Sequence, residues 1–139
     1  MSILDINVAV VSYDDFYETH ANIQKVSSED PLNKYLAGRG VAGTHDLALG
    51  TETLTKMIYA GWKGRSSEVV IPVYDKSLHG GQGDRKERSK WLKMQGPFDL
   101  VFVEGWMLGY SPIDQTSDLL KKYPGMDKVN EHLGAYKEW

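Results

Sequence analysis

Two short apolar runs frame the chain. Ile6 to Ser12 reads INVAVVS, a nearly continuous β-branched run that leads into the acidic pair of YDDFY. Asp99 to Trp106 reads DLVFVEGW, with Leu100 to Val103 apolar ahead of Glu104 and Gly105. Apolar runs without polar alternation suit strands covered on both faces, so these two predict an α/β fold with a mainly parallel sheet and flanking helices. Open parallel sheets bind ligands at the carboxyl ends of their strands. On that rule Asp14, Asp15 and Glu104 converge on one edge. Between the runs, Asp46 to Ala60 places Leu47, Leu54, Met57 and Ile58 near helical spacing, and Gly61 ends the pattern. SEVVIPVYDKS is extended but carries Pro72, which argues for an edge strand or a hairpin. A glycine-rich loop, HGGQGDRKERSKW, follows. Ser111, Pro112 and Asp114 form a helix start, with the helix expected to reach about Lys122, and MDKVNEHLGAYKEW opens another helical pattern.

The 139 residues carry no internal repeat, low-complexity stretch or linker, and they fit a single α/β domain, 1–139. Sixteen basic against nineteen acidic residues leave a net charge of −3, which offers no basic field for nucleic acid. There is no cysteine, which removes disulfide frameworks, thiol nucleophiles and Cys-based zinc sites and fits a reducing compartment such as cytosol or an organelle stroma. No apolar span is long enough for a membrane, and MSILDINVAVVSYDD lacks the pattern of a signal peptide.

Several residues carry candidate chemistry, each beside a plainer reading. Asp14 and Asp15 at a strand end could supply a general base or a metal ligand, or simply form an acidic turn. Glu104, with Gly105 permitting close approach, reads as a magnesium-handling acid of the Walker B type or as a solvated strand-end acid. Gly80, Gly81 and Gly83 with Asp84 and Arg85 read as an anion-binding or a flexible surface loop. His45 in GTHD reads as a substrate-orienting group or a polar loop residue. The four histidines lack zinc-site spacing, and no serine sits in a nucleophile elbow. Trp62, Trp91 and Trp106 read as core or cleft-wall residues rather than base-stacking platforms. Gly38, Gly40 and Gly43 spell G-x-G-x-x-G, but the preceding DPLNKYLA carries Pro31 and Asn33 and no β-branched run, so a dinucleotide loop is not expected.

The ordered set SYDDFY, DPLNKYLAGRGVAGTHDLALG, IPVYDKSLHGGQGDR, GPFDLVFVEGWMLGY and VNEHLGAYKEW resembles the D-glycerate 3-kinase family, P-loop kinases similar to phosphoribulokinase, uridine kinase and pantothenate kinase. The resemblance runs from about Val8 to Trp139. It implies ATP-dependent phosphoryl transfer, with Mg2+, to a hydroxyl of a small acid such as D-glycerate. It further implies that Asp14 is the base, that Glu104 and Asp15 serve magnesium, and that Arg39, His45, Asp46, Lys76, Asp84 and Arg85 line the acceptor side. The glycines of RGVAG then belong to a substrate-side loop, with Asp30 where asparagine is common and Val41-Ala42 in place of a residue followed by proline.

The larger departure from that pattern is at the two ends. The phosphate-cradling G-x-x-x-x-G-K-[ST] requires a Gly-Lys pair, and the sequence has none. Relatives carry that element well before SYDDFY and continue past VNEHLGAYKEW into a further strand and an arginine-bearing lid. The expectation is therefore a partial P-loop kinase fold, the acceptor-binding middle, incomplete for turnover and without an assured ATP site. Apolar sheet surface left uncovered would invite self-association. The alternatives are a non-catalytic relative that binds a small anion or a protein partner, and a rebuilt sheet in an interlocked dimer.

Overall fold

The computed structural model describes residues 5–61 and 67–139, so Trp62 lies outside the described residues. The two apolar runs are direct neighbours. Strand β1 (Val8–Ser12) pairs in parallel with β6 (Leu100–Glu104), in a register that sets Val10 beside Phe102 and Ser12 beside Glu104. The α/β class and the parallel pairing hold, but among the described residues the parallel arrangement is confined to this pair. Two further pairs are antiparallel: β2 (Glu68–Ile71) with β5 (Leu92–Gln95), and β3 (Tyr74–Asp75) with β4 (Asp84–Arg85). Pro72 falls between β2 and β3, where the missing N–H costs no ladder bond, and the two halves of the segment pair with different strands, β2 with β5 and β3 with β4.

Strand geometry sends alternate side chains to opposite faces. Ala9 and Val11 point into the core at 0% and 1% exposure, beside Tyr13, Phe16, Met57 and Ile71. Val8, Val10, Leu100 and Phe102 share the other face, where Val10 and Phe102 are 59% and 52% exposed. Coverage on both faces, inferred from the unbroken apolar runs, is thus met on one face of this chain. The second face is the uncovered apolar surface expected above.

Helix α1 (His20–Glu29) is capped by Thr19, and α2 (Leu47–Tyr59) by Asp46, whose carboxylate accepts the Leu49 N–H at 2.9 Å. The α2 stripe that faces the core is Gly50, Thr53 and Met57, flanked by Leu47 and Leu54. Ile58, read as part of the apolar face, lies outside that stripe and is solvent-exposed. A single turn, α3 (Leu78–Gly81), sits between β3 and β4. The helix expected from Ser111 begins later, as α4 (Asp118–Lys122) capped by Ser117. Two local contacts account for the delay. Asn130 clamps the backbone of Ile113, accepting its N–H at 2.8 Å and donating to its carbonyl at 2.9 Å. Asp114 folds back on the N–H and hydroxyl of Thr116, so the side chain read as a first-turn acid closes a turn instead. Helix α5 (Met126–Leu133) then runs into a 3-10 turn, Gly134–Tyr136, which brings Tyr136 into the core.

Candidate active site

The carboxyl edge of the parallel pair is where polar groups collect. A 3-10 turn, Tyr13–Phe16, follows β1 directly, so Tyr13 and Phe16 bury while Asp14 and Asp15 emerge beside Glu104 at the end of β6. Gly105 makes this close approach possible, because a Cβ there would stand 2.5 Å from the Cβ of Tyr13. Asp14, Asp15 and Glu104 are therefore brought together as the strand pattern predicted.

Lys76, just beyond β3, reaches across to Asp14, with Nζ 2.5 Å from Oδ2. Burial works to raise the pKa of Asp14, but the Lys76 ammonium, the nearby Tyr17 hydroxyl and His45 bring it below the ordinary carboxylate value. Asp15 shifts the opposite way. Its burial, and the negative charges of Asp14 and Glu104, outweigh the Tyr74 N–H that its Oδ1 accepts at 2.9 Å. This repulsion among carboxylates is what a cation would relieve. Among the described residues no three potential ligands cluster for a metal. Asp15 and Glu104 alone fit the mode in which magnesium keeps waters and phosphate oxygens alongside one or two carboxylates.

His45 is 5% exposed. Its ring stacks on Tyr13 at 4.3 Å and lies 4.5 Å from the ring of Tyr17, while Nδ1 is 3.0 Å from the Tyr136 hydroxyl. Burial lowers its pKa to about 4 despite the nearby Asp14, so the ring is neutral at pH 7. His45 is thus neither an exposed loop residue nor openly presented to solvent.

The remaining acceptor-side residues knit the loops together. Arg39 donates through one guanidinium nitrogen to the carbonyls of Gly81 and Gln82, each at 2.6 Å. Arg85 donates to the Tyr17 carbonyl at 2.8 Å and pairs with Asp46 at 3.0 Å, which joins β4 to the start of α2. Asp84 accepts the N–H groups of His20 and Arg85 and lies 3.0 Å from Nε2 of His79. The structure thus gathers Arg39, Asp46, Asp84 and Arg85 around one loop cluster, with their polar groups engaged in holding it, while Lys76 faces Asp14. The Gly38–Gly43 loop is not preceded by a strand. Gly40 donates its N–H to the Thr44 hydroxyl and Gly43 to that of Tyr136, which leaves neither for a pyrophosphate. Trp106, 59% exposed, donates to the Gly40 carbonyl and walls an apolar recess of about 230 Å³ with Tyr110 and Met107.

Tyr13, Tyr17 and Tyr136 form the walls and floor around His45, and sequence reasoning assigned none of them a role. Tyr13 and Tyr17 lay within the SYDDFY motif, and Tyr136 within VNEHLGAYKEW.

A parallel strand pair delivering acids at its carboxyl edge, with an ammonium over the first of them, defines a mixed α/β partial domain of the kinase type. It superposes, over 96% of this chain and 50% of the other, on the solved D-glycerate 3-kinase from Cryptococcus neoformans var. grubii, with a TM-score of 0.81 and 34% identity. In sequence it is 39% identical over 132 residues to the chloroplastic D-glycerate 3-kinase of Arabidopsis thaliana, which covers 92% of this chain and 27% of that protein. It is also 39% identical over 135 residues to a probable ATP-dependent kinase of Saccharomyces cerevisiae, covering 95% of this chain and 45% of that one. No family model matches. The chain belongs to the family of D-glycerate 3-kinase and its P-loop kinase relatives. It spans between about a quarter and a half of the length of these relatives.

Proposed function

We propose that residues 1–139 act as one α/β unit, the acceptor-binding part of an ATP-dependent kinase that phosphorylates a hydroxyl of a small hydroxy acid of the D-glycerate type. The observation that carries this reading is the Lys76–Asp14 pair at the carboxyl edge of β1 in a chain 39% identical to a D-glycerate 3-kinase. The carboxylate of such an acid competes with Asp14 for the half-exposed ammonium of Lys76. Once Lys76 is drawn to the acceptor, Asp14 loses its strongest counter-charge and becomes a better base for the acceptor hydroxyl. Asp14 would take the hydroxyl proton as the acceptor oxygen bonds to the γ-phosphorus of ATP and the bond from that phosphorus to the bridging oxygen breaks, releasing ADP. Asp15 and Glu104 would hold magnesium, whose charge with that of bound ATP's other ligands offsets the negative charge on the transferring phosphoryl group. Arg39, Asp46, Asp84 and Arg85, with the loops they hold, shape the acceptor side, and His45 borders it. Cytosol or an organelle stroma suits such an enzyme. The Arabidopsis relative is described as chloroplastic, and no helix among the described residues is long and apolar enough to cross a membrane.

Calorimetric titration of the chain with D-glycerate, and separately with magnesium-ATP, tests the proposal. The expected result is heat with D-glycerate that falls at least tenfold in affinity in Lys76→Ala. Absence of heat with D-glycerate, or binding indifferent to Lys76→Ala, would overturn it. Heat with magnesium-ATP would extend the function to the nucleotide side of this same chain.

A further inference from the structure

The phosphoryl-transfer scheme leaves His45 without a task, yet its surroundings are built in detail. Its backbone bridges that of Tyr17, the residue whose N–H closes the turn begun at Asp14. The Tyr136 oxygen accepts the Gly43 N–H at 2.9 Å and lies 3.0 Å from Nδ1 of His45. A phenol oxygen already accepting an N–H has its own proton to give, and among the described residues Nδ1 is the acceptor within reach. A neutral ring that accepts at Nδ1 carries its proton on Nε2. That Nε2 is buried without a hydrogen-bond partner, and so is Oδ1 of Asp14. The first is a donor lacking an acceptor, the second an acceptor approached by the Tyr17 hydroxyl, and the charge of Asp14 is felt at His45. Buried polar atoms are rarely left in this condition.

We propose that Tyr136 and His45 form a relay of fixed polarity whose end, the Nε2–H, is the donor for Oδ1 of Asp14, reached directly or over one buried water. His45 is then a positioning residue. It fixes one carboxylate oxygen so that the other, now paired with Lys76, faces the acceptor. Tyr13, Tyr17 and Tyr136 surround the ring, and Asp14 is faced in addition by Lys76, Tyr17 and Asp15. The consequence for catalysis rests on the reading of Asp14 as the base, whereas the contact itself does not.

The test is the imidazole nitrogen spectrum of the 15N-labelled chain at pH 7, recorded through long-range proton–nitrogen correlations. The expected pattern is a neutral His45 with its proton on Nε2, slow to exchange with solvent. Asp14→Ala should shift the Nε2–H proton resonance by more than it shifts Nδ1. A proton on Nδ1, a fast-exchanging Nε2–H, or an Nε2–H unmoved in Asp14→Ala would overturn the inference. The tautomer and the exchange rate are read in the unaltered chain, so they decide even where Asp14→Ala does not fold. None of these signals depends on phosphoryl transfer: a wrong tautomer with D-glycerate binding intact would sink the relay alone, and the right tautomer without binding would sink the kinase reading alone.

Discussion

Lowering the pH from 7 to 4 forces a choice on His45. In the unfolded chain its imidazole takes up a proton around the ordinary value of 6.5, whereas burial among Tyr13, Tyr17 and Tyr136 holds the folded value at about 4. Between those values the unfolded state binds the proton and the folded state does not, so stability falls as the pH falls. The contribution is whole above about pH 6.5 and is lost progressively down to about pH 4. The gap corresponds to about 3 kcal/mol, at about 1.4 kcal/mol for each tenfold change in proton affinity. Asp14 and Asp84, whose pKa values are lowered, lose their contributions below the ordinary carboxylate range and thus at more acid pH. The raised value of Asp15 acts in the opposite sense and must be subtracted. Urea unfolding of the unaltered chain and of His45→Phe, at half-unit steps from pH 7.5 to 4, provides that subtraction. Phenylalanine keeps a ring against Tyr13 but cannot titrate. The difference in stability between the two chains should shrink by about 3 kcal/mol across the window. A difference that stays constant with pH would refute the buried neutral histidine.

Four further outcomes follow from the geometry. Val10→Thr, on the uncovered sheet face, should cost less than about 0.5 kcal/mol, whereas Val11→Thr, one residue on, buries a hydroxyl and should cost about 1–3 kcal/mol; equal losses in denaturant titrations would contradict the register. Gly105→Ala presses a methyl group against Tyr13 and should destabilise the chain by about 1–3 kcal/mol, and an unchanged unfolding midpoint would show that the close approach is not there. Lys76→Ala should raise the pKa of Asp14, since the ammonium is the main group opposing its burial, and carboxyl 13C titration reads the change directly. Light scattering at micromolar concentration should detect self-association that weakens in Phe102→Lys; a monomer with or without that change would mean that the apolar face is tolerated in water.

The local elements were legible because each rests on a short-range rule. The β-branched runs made strands, Asp46 capped α2 through its own side chain, and Pro72 broke an extended segment where a proline must. The convergence of Asp14, Asp15 and Glu104 was legible for a related reason: parallel neighbours end at the same edge, whatever lies between them. The α4 start was misplaced because a side chain from α5, Asn130, holds the backbone of Ile113. Ile58 was placed on the wrong face because an apolar residue at the margin of a helical stripe has no sequence mark telling core from solvent.

What the sequence determined by itself is therefore the class of fold, the edge at which acids gather and the family resemblance, since these depend on residue type and order. What tertiary structure alone decided is the state of the chemical groups. Lys76 and Asp14 are 62 residues apart and His45 and Tyr136 are 91 residues apart. Lys76 sets the Asp14 carboxylate below its ordinary pKa and burial leaves His45 neutral, because charge and desolvation act through space over a few ångströms and take no account of separation along the chain.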